Sequence, residues 1–154
     1  MTRVRTLILV GLACLAISPA WGKDMAVVVN KSNAVKSLSW AELIKLLKTQ
    51  TKKWPDGRDV MLVLQEPSSP EMKTLLQKIY GMTPDEVKTL FTNANHARPG
   101  SVVLVNSNEA LMKMVGTLAG SLGVVDVYSI TGAVNVVKVD GKSPLEPGYP
   151  LHGN

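Results

Sequence analysis

Cysteine occurs once in the 154 residues, at Cys14, phenylalanine once, at Phe91, and histidine twice, at His96 and His152. These scarcities exclude a good deal. If Cys14 is removed with a leader, the remaining chain has no disulfide, no cysteine metal ligand and no thiol nucleophile. Two isolated histidines offer no spacing that pairs either with a nucleophile or with a second metal ligand. Aromatic residues are 5% of the chain, and no basic run is interleaved with them, so the stacking surface that binds single-stranded nucleic acid is missing. There is no internal repeat, no low-complexity tract and no linker that divides the chain.

What is present begins with the first two dozen residues. Arg3 and Arg5 precede an apolar run from Leu7 to Ile17, and Pro19 leads to a small-residue exit at Ala20-Trp21-Gly22 before Lys23. A charged start, an apolar core too short for a bilayer of roughly 30 Å and small residues before the cut make a secretory signal peptide. Reading Cys14 as a lipid-bearing cysteine fails. Gly11-Leu12-Ala13 poorly matches the usual Leu-Ala-Gly, and a cut there shortens the apolar core below the roughly 7 residues an export signal needs. The expected organisation is a signal peptide over 1–22 and one domain over 23–154. The expected location is periplasmic or secreted, with no membrane anchor once the leader is cut.

About 130 mature residues suffice to bury close to 70% of the unfolded surface without staples. Loss of Arg3 and Arg5 leaves 15 of the 17 basic residues against 12 acidic ones. That mild positive bias favours a small anion or an acidic surface only weakly, and most lysines, Lys52 and Lys53 included, read as a solvated surface.

Strands and helices alternate. Ala26-Val27-Val28-Val29 predicts a buried strand leaving into the polar loop Asn30-Lys31-Ser32-Asn33. Ser39 with Glu42 is a capping box ahead of Trp40, Leu43, Ile44 and Leu47 on one helical face. Trp54-Pro55-Asp56-Gly57 forces a turn before a second buried strand, Val60 to Leu64, ending at Gln65. Ser68-Ser69-Pro70-Glu71 starts a helix carrying Met72, Leu75, Leu76, Ile79 and Tyr80, which Gly81 stops. Thr83-Pro84-Asp85-Glu86 starts another, with Val87, Leu90 and Phe91 on its face, expected to end near Asn93. A loop over Asn95 to Gly100 precedes a third strand, Val102 to Val105, and Asn106 with Glu109 is expected to cap the next helix. Gly120-Ser121-Leu122-Gly123 leads to a strand from Val124 to Tyr128, and a last strand spans Val134 to Val139. The proline- and glycine-rich tail from Ser143 is expected to lie over the surface. The alternation predicts an α/β domain with a mainly parallel or mixed sheet flanked by helices.

Catalysis has little to stand on. Glu42, Glu86 and Glu109 are used as capping partners, His96 lies beside Arg98 in an expected loop, and His152 is in the tail. No nucleophile–base pair supports a hydrolase. The better pattern is anion binding at helix N-termini, where free N–H groups and the positive end of the dipole meet a negative ligand. Ser68 and Ser69 open a helix just after a strand, the place where open α/β sheets bind ligands. A plain N-cap explains one serine equally. Asn30 and Ser32 after the first strand, and Ser107 after the third, stand in analogous positions. Arg98 reads either as a bidentate clamp for an oxyanion or as an ordinary surface arginine before Pro99-Gly100. Trp40 and Trp54 read as packing, and Met112 and Met114, near opposite helix faces, have no metal role.

The order of segments resembles the phosphate ABC transporter substrate-binding proteins and their short single-domain relatives. The resemblance is carried by Val27-Val28-Val29-Asn30, Ser37-Leu38-Ser39, Trp54-Pro55-Asp56-Gly57, Gln65-Glu66-Pro67-Ser68-Ser69-Pro70 and Gly120-Ser121-Leu122-Gly123-Val124-Val125. It implies a periplasmic-binding-protein-like (type II) single compact domain. It also implies phosphate as ligand, no cofactor or metal, and the membrane component of an ABC transporter or another periplasmic protein as partner. In that picture Ser68 and Ser69 donate to the anion, Asn30 and Ser32 close the opposite wall, Ser107 lies nearby and Arg98 neutralises charge.

Two departures stand out. The family's Ser-Gly-Thr is Ser68-Ser69-Pro70 here, without the glycine, and an Arg-Asp-like pair is replaced by Gln65-Glu66, whose carboxylate repels phosphate. The chain is also about half the length of a two-lobed binder. The alternative expectation is therefore a periplasmic interaction or sensory module that has kept the fold and lost the ligand.

Overall fold

The computed structural model describes residues 22–153. The export-signal and Cys14 readings fall, Gly22 apart, outside the described residues. The elements are β1 (Met25–Asn30), β2 (Ser37–Leu38), α1 (Trp40–Leu47), β3 (Met61–Gln65), a composite helix α2 (70–80), α3 (Pro84–Ala97), β4 (Val102–Val105), α4 (Asn108–Thr117), β5 (Ser121–Asp126) and β6 (Val134–Val139). They build one six-stranded sheet in the order β2-β6-β1-β5-β3-β4. The sheet is mixed. β5, β3 and β4 run parallel, as do β2 and β6, while β1 in the centre is antiparallel to both β5 and β6.

Both faces are covered over β1, β3 and β5, which is why those strands read as apolar runs, while β6 mixes buried and exposed residues. Side chains alternate from one face to the other along each strand. Val27, Val29, Leu62, Leu64, Leu122 and Val124 join the larger core, which includes Leu43, Leu47, Leu75 and Phe91 from the helices α1 to α3. Val28, Val63 and Val125 join Leu111, Met112 and Val115 of α4 on the other face. Gly123 sits beneath α4. A Cβ there would come within 2.7 Å of Leu111 Cδ2 and 2.9 Å of Val115 Cγ2, so glycine lets the helix approach.

The capping boxes form as read. Ser39 Oγ accepts from the Glu42 N–H and Glu42 accepts from the Ser39 N–H, and Thr83 and Glu86 repeat the exchange at α3. Other expectations are corrected. β3 runs from Met61 through Gln65, one residue later than read. α3 continues past Asn93 to Ala97, so Asn95 and His96 are helical. It is held there because the Asn95 side chain donates to Val102 O and accepts from the Val102 N–H, both at 2.9 Å. It stops at Arg98, whose extended backbone is what a following proline requires.

The N-cap of α4 is Ser107, whose hydroxyl accepts from the Ala110 N–H, not Asn106. β5 begins at Ser121, three residues before the expected start, and gives way at Val127 to a 3₁₀ turn, Val127–Ser129. Ser37–Leu38, just before the Ser39 cap, pairs with β6 as an edge strand. The tail is not merely superficial. Tyr149 and Leu151 are buried, and the Met25 N–H donates to Leu151 O at 3.0 Å. Proline and glycine set the turns of this tail, while its two apolar residues anchor it in the core.

Candidate functional site

The two edges of the sheet hold the six residues picked from the sequence, three on each. β5, β3 and β4 point their carboxyl ends the same way, so Ser68, Ser69 and Ser107 lie together beyond that edge. Because β1 is antiparallel to β5, its carboxyl end lies at the opposite, amino edge, and it takes Asn30 and Ser32 there. Arg98 precedes β4 and is at the amino edge too. A five-residue strand separates the edges by roughly 15 Å, so Asn30, Ser32 and Arg98 do not form a wall of a cleft around Ser68 and Ser69. The picture of one convergent site presumed a β1 parallel to β3.

At the amino edge most polar groups are spent on the frame, the exception being Asn33 Nδ2, which is buried with no partner among the described residues. Asn30 is buried. Its Nδ2 donates to Val115 O at 2.8 Å, and its Oδ1 accepts from the N–H and the hydroxyl of Ser32. Ser32 Oγ in turn accepts from the Arg58 guanidinium at 2.9 Å. Arg98 donates to Lys52 O at 2.8 Å and stands 3.7 Å from the Asp59 carboxylate. Buried Trp54 donates from Nε1 to Gly120 O at 2.8 Å. Gly120 has φ +81, and a Cβ there would lie 2.5 Å from Asp59 O, so no other residue fits this crossing. Lys53 hydrogen-bonds Asp59 and holds its carboxyl below the usual range.

The carboxyl edge is built differently. α2 opens with a 3₁₀ turn, Pro70–Met72, continues through one α turn, Lys73–Leu75, and ends in a π turn, Leu76–Tyr80, before Gly81 at φ +58. Ser69 stands at its start with no capping hydrogen bond, and its hydroxyl is buried without a partner. Ser68 is exposed, as is Glu66. Pro70 contributes no N–H, so the first turn offers fewer backbone donors than a regular helix start.

The sequence reading missed two features here. Gln65, at the end of β3, donates to Asn108 Oδ1 at 2.9 Å and ties the β3 and β4 exits together; a polar residue closing an apolar run was its only sequence signal. Lys23 pairs with Glu71 and lies 3.5 Å from Asp126 Oδ2, and the hydrogen bond to Glu71, with the charge of both carboxylates, raises the pKa of the amine. His96 is exposed on α3, and His152 Nδ1 lies 2.7 Å from Asp24 Oδ1. Among the described residues no group of three or more histidine, cysteine, aspartate or glutamate side chains is placed to hold a metal, and no helix is long and apolar enough to cross a membrane.

Solved structures settle the fold. An ABC-type phosphate transport receptor from Vibrio cholerae superposes with a TM-score of 0.64 at 19% identity, over 79% of this chain and 48% of that one. A putative phosphate ABC transporter substrate-binding protein from Clostridium perfringens, with bound phosphate, gives 0.62 at 18% identity, over 77% and 46%. A phosphate-binding protein from Stenotrophomonas maltophilia gives 0.62 at 19%, over 82% and 41%. The fold is that of the phosphate-binding proteins. The chain spans about half the length of these solved proteins. No protein-family profile matches the sequence, and no curated protein matches it.

Proposed function

We propose that the chain is an exported solute-binding protein of one lobe, which takes a small oxyanion, phosphate in the first place, at the start of α2 and catalyses no reaction. The observation that carries this reading is the Ser69 hydroxyl, buried with no partner at the carboxyl edge of β3 in a fold shared with proteins described as phosphate-binding. A buried hydroxyl without a partner costs stability, and a small rotation toward an oxyanion would satisfy it. Ser68 supplies a second hydroxyl. Ser107 stands on the same edge, while Asn30, Ser32 and Arg98 belong to the frame on the other. The partners this reading implies are the anion itself and the membrane component of a transporter.

Thermal-shift titration tests it. Wild type should show a saturable rise in melting temperature with phosphate. The variant Ser68→Ala with Ser69→Ala should show none, with its unliganded melting temperature within about 3 °C of wild type, since neither hydroxyl has a partner to lose among the described residues. An unaltered response in that variant would remove the site.

A second reading, an interaction or sensory module without a ligand, is favoured by the exposed Glu66, which places negative charge two residues before Ser68. No shift with phosphate, sulfate or small carboxylates would select it.

A further inference from the structure

The most exposed of the large apolar side chains is Tyr128, 83% exposed among the described residues. It is held outward in the turn after β5, where Asp126 Oδ1 accepts the Tyr128 N–H at 2.9 Å. The next residue, Ser129, lines a groove of about 450 Å³ between the first half of α4 and the segment 129–133, with Met112 and Ala133 as apolar lining and Glu109 and Lys113 as its charged residues. Glu109 and Lys113 are one helical turn apart, yet neither forms an ion pair among the described residues. One surface therefore carries a projecting aromatic, a hollow next to it, and one unpaired charge of each sign.

We infer that this surface binds a second copy of the chain about a twofold axis. A twofold contact needs a self-complementary patch, in which each feature meets its counterpart. Antiparallel approach of two α4 helices centred between residues 109 and 113 brings Glu109 of each copy to Lys113 of the other. Tyr128, one residue before Ser129 of the groove's rim, is then carried into the same contact, where aromatic side chains are enriched. The pairing uses neither Ser68 nor Ser69, so it stands or falls independently of anion binding.

Sedimentation velocity on the protein expressed from its full sequence, over a range of concentrations, tests the inference. Wild type should sediment as a dimer. Tyr128→Ala should raise the dimer dissociation constant at least about tenfold. Glu109→Lys, which sets lysine against lysine at both symmetric contacts, should raise it about tenfold, and adding Lys113→Glu should restore it by swapping the pair. All three positions lie at the surface, and circular dichroism of each variant should match wild type. A wild type that stays monomeric to millimolar concentration, a dimer indifferent to Tyr128→Ala, or a double swap no better than Glu109→Lys alone would overturn the proposal.

Discussion

The two edges of the sheet are made of similar residue types and do different work. At the amino edge Asn30, Ser32, Arg58, Trp54 and Arg98 all donate or accept within the chain, linking Val115, Gly120 and Lys52 into one frame. At the carboxyl edge Ser69 keeps a hydroxyl without a partner, Ser68 is exposed, and Tyr128 projects into solvent. A polar side chain that has spent its hydrogen bonds on the backbone holds the fold together, and one that has not is available to a ligand. The contrast places most of the frame's hydrogen bonds on the amino edge and leaves the proposed site on the carboxyl edge, where open α/β sheets bind ligands.

Mutation can break this contrast, and the effects fall in order of size. Trp54→Ala should cost the most, about 3–5 kcal/mol, because it empties a buried site and removes one of the two donors to Gly120 O, the Met61 N–H being the other. Chemical denaturation measures the loss, and the folded fraction should keep its response to phosphate. Asn30→Ala should cost about 1–3 kcal/mol by removing the acceptor of the Ser32 N–H and the shorter of the two donors to Val115 O, leaving the Ser121 hydroxyl at 3.2 Å. Loss of the phosphate response at an unchanged melting temperature would instead move Asn30 to the binding side. Ser107→Ala removes the cap of α4 and should cost about 1 kcal/mol, readable as a fall in denaturation midpoint; its carboxyl-edge position makes the accompanying phosphate titration the sharper readout.

The smallest effects are those of pH, since Lys53 and Asp59 are open to solvent and the Lys23 amine is half exposed. On the amino edge, Asp59 is held below the ordinary carboxylate value by Lys53. Its contribution is present above that ordinary value and is lost as pH falls through the lowered one. On the carboxyl edge, Lys23 is raised by Glu71 and Asp126. Its contribution is complete below the ordinary lysine value and is lost as pH rises through the raised one. Melting curves of Asp59→Asn should therefore converge on wild type in acid, and those of Lys23→Met in alkali. Convergence at the wrong end for either would show that the pair acts in the unfolded chain.

Much of the fold was legible because its signals are local. A capping box is a pair of hydrogen bonds between residues three apart, so Ser39 with Glu42 and Thr83 with Glu86 announce themselves. The apolar runs at Val27–Val29 and Leu62–Leu64 show strands covered on both faces without any knowledge of their neighbours. Local signals also misled. Asn95 looked like loop, but it extends α3 by bonding across to Val102, and the prolines and glycines of the tail concealed two core residues, Tyr149 and Leu151.

The candidate site divides the same way. That Ser68 and Ser69 follow a strand and open a helix is written in consecutive residues, and so is the absence of a glycine between them. Which of the other polar loops joins them is not, because it depends on strand direction. β1 takes its direction from β5 and β6, about 100 residues along the chain. That antiparallel pairing, a contact between distant segments, is what sends Asn30 and Ser32 to the edge away from the serines. The residues specify their own helices, strands and caps through interactions a few positions long. Only the assembled sheet decides which of them share a surface.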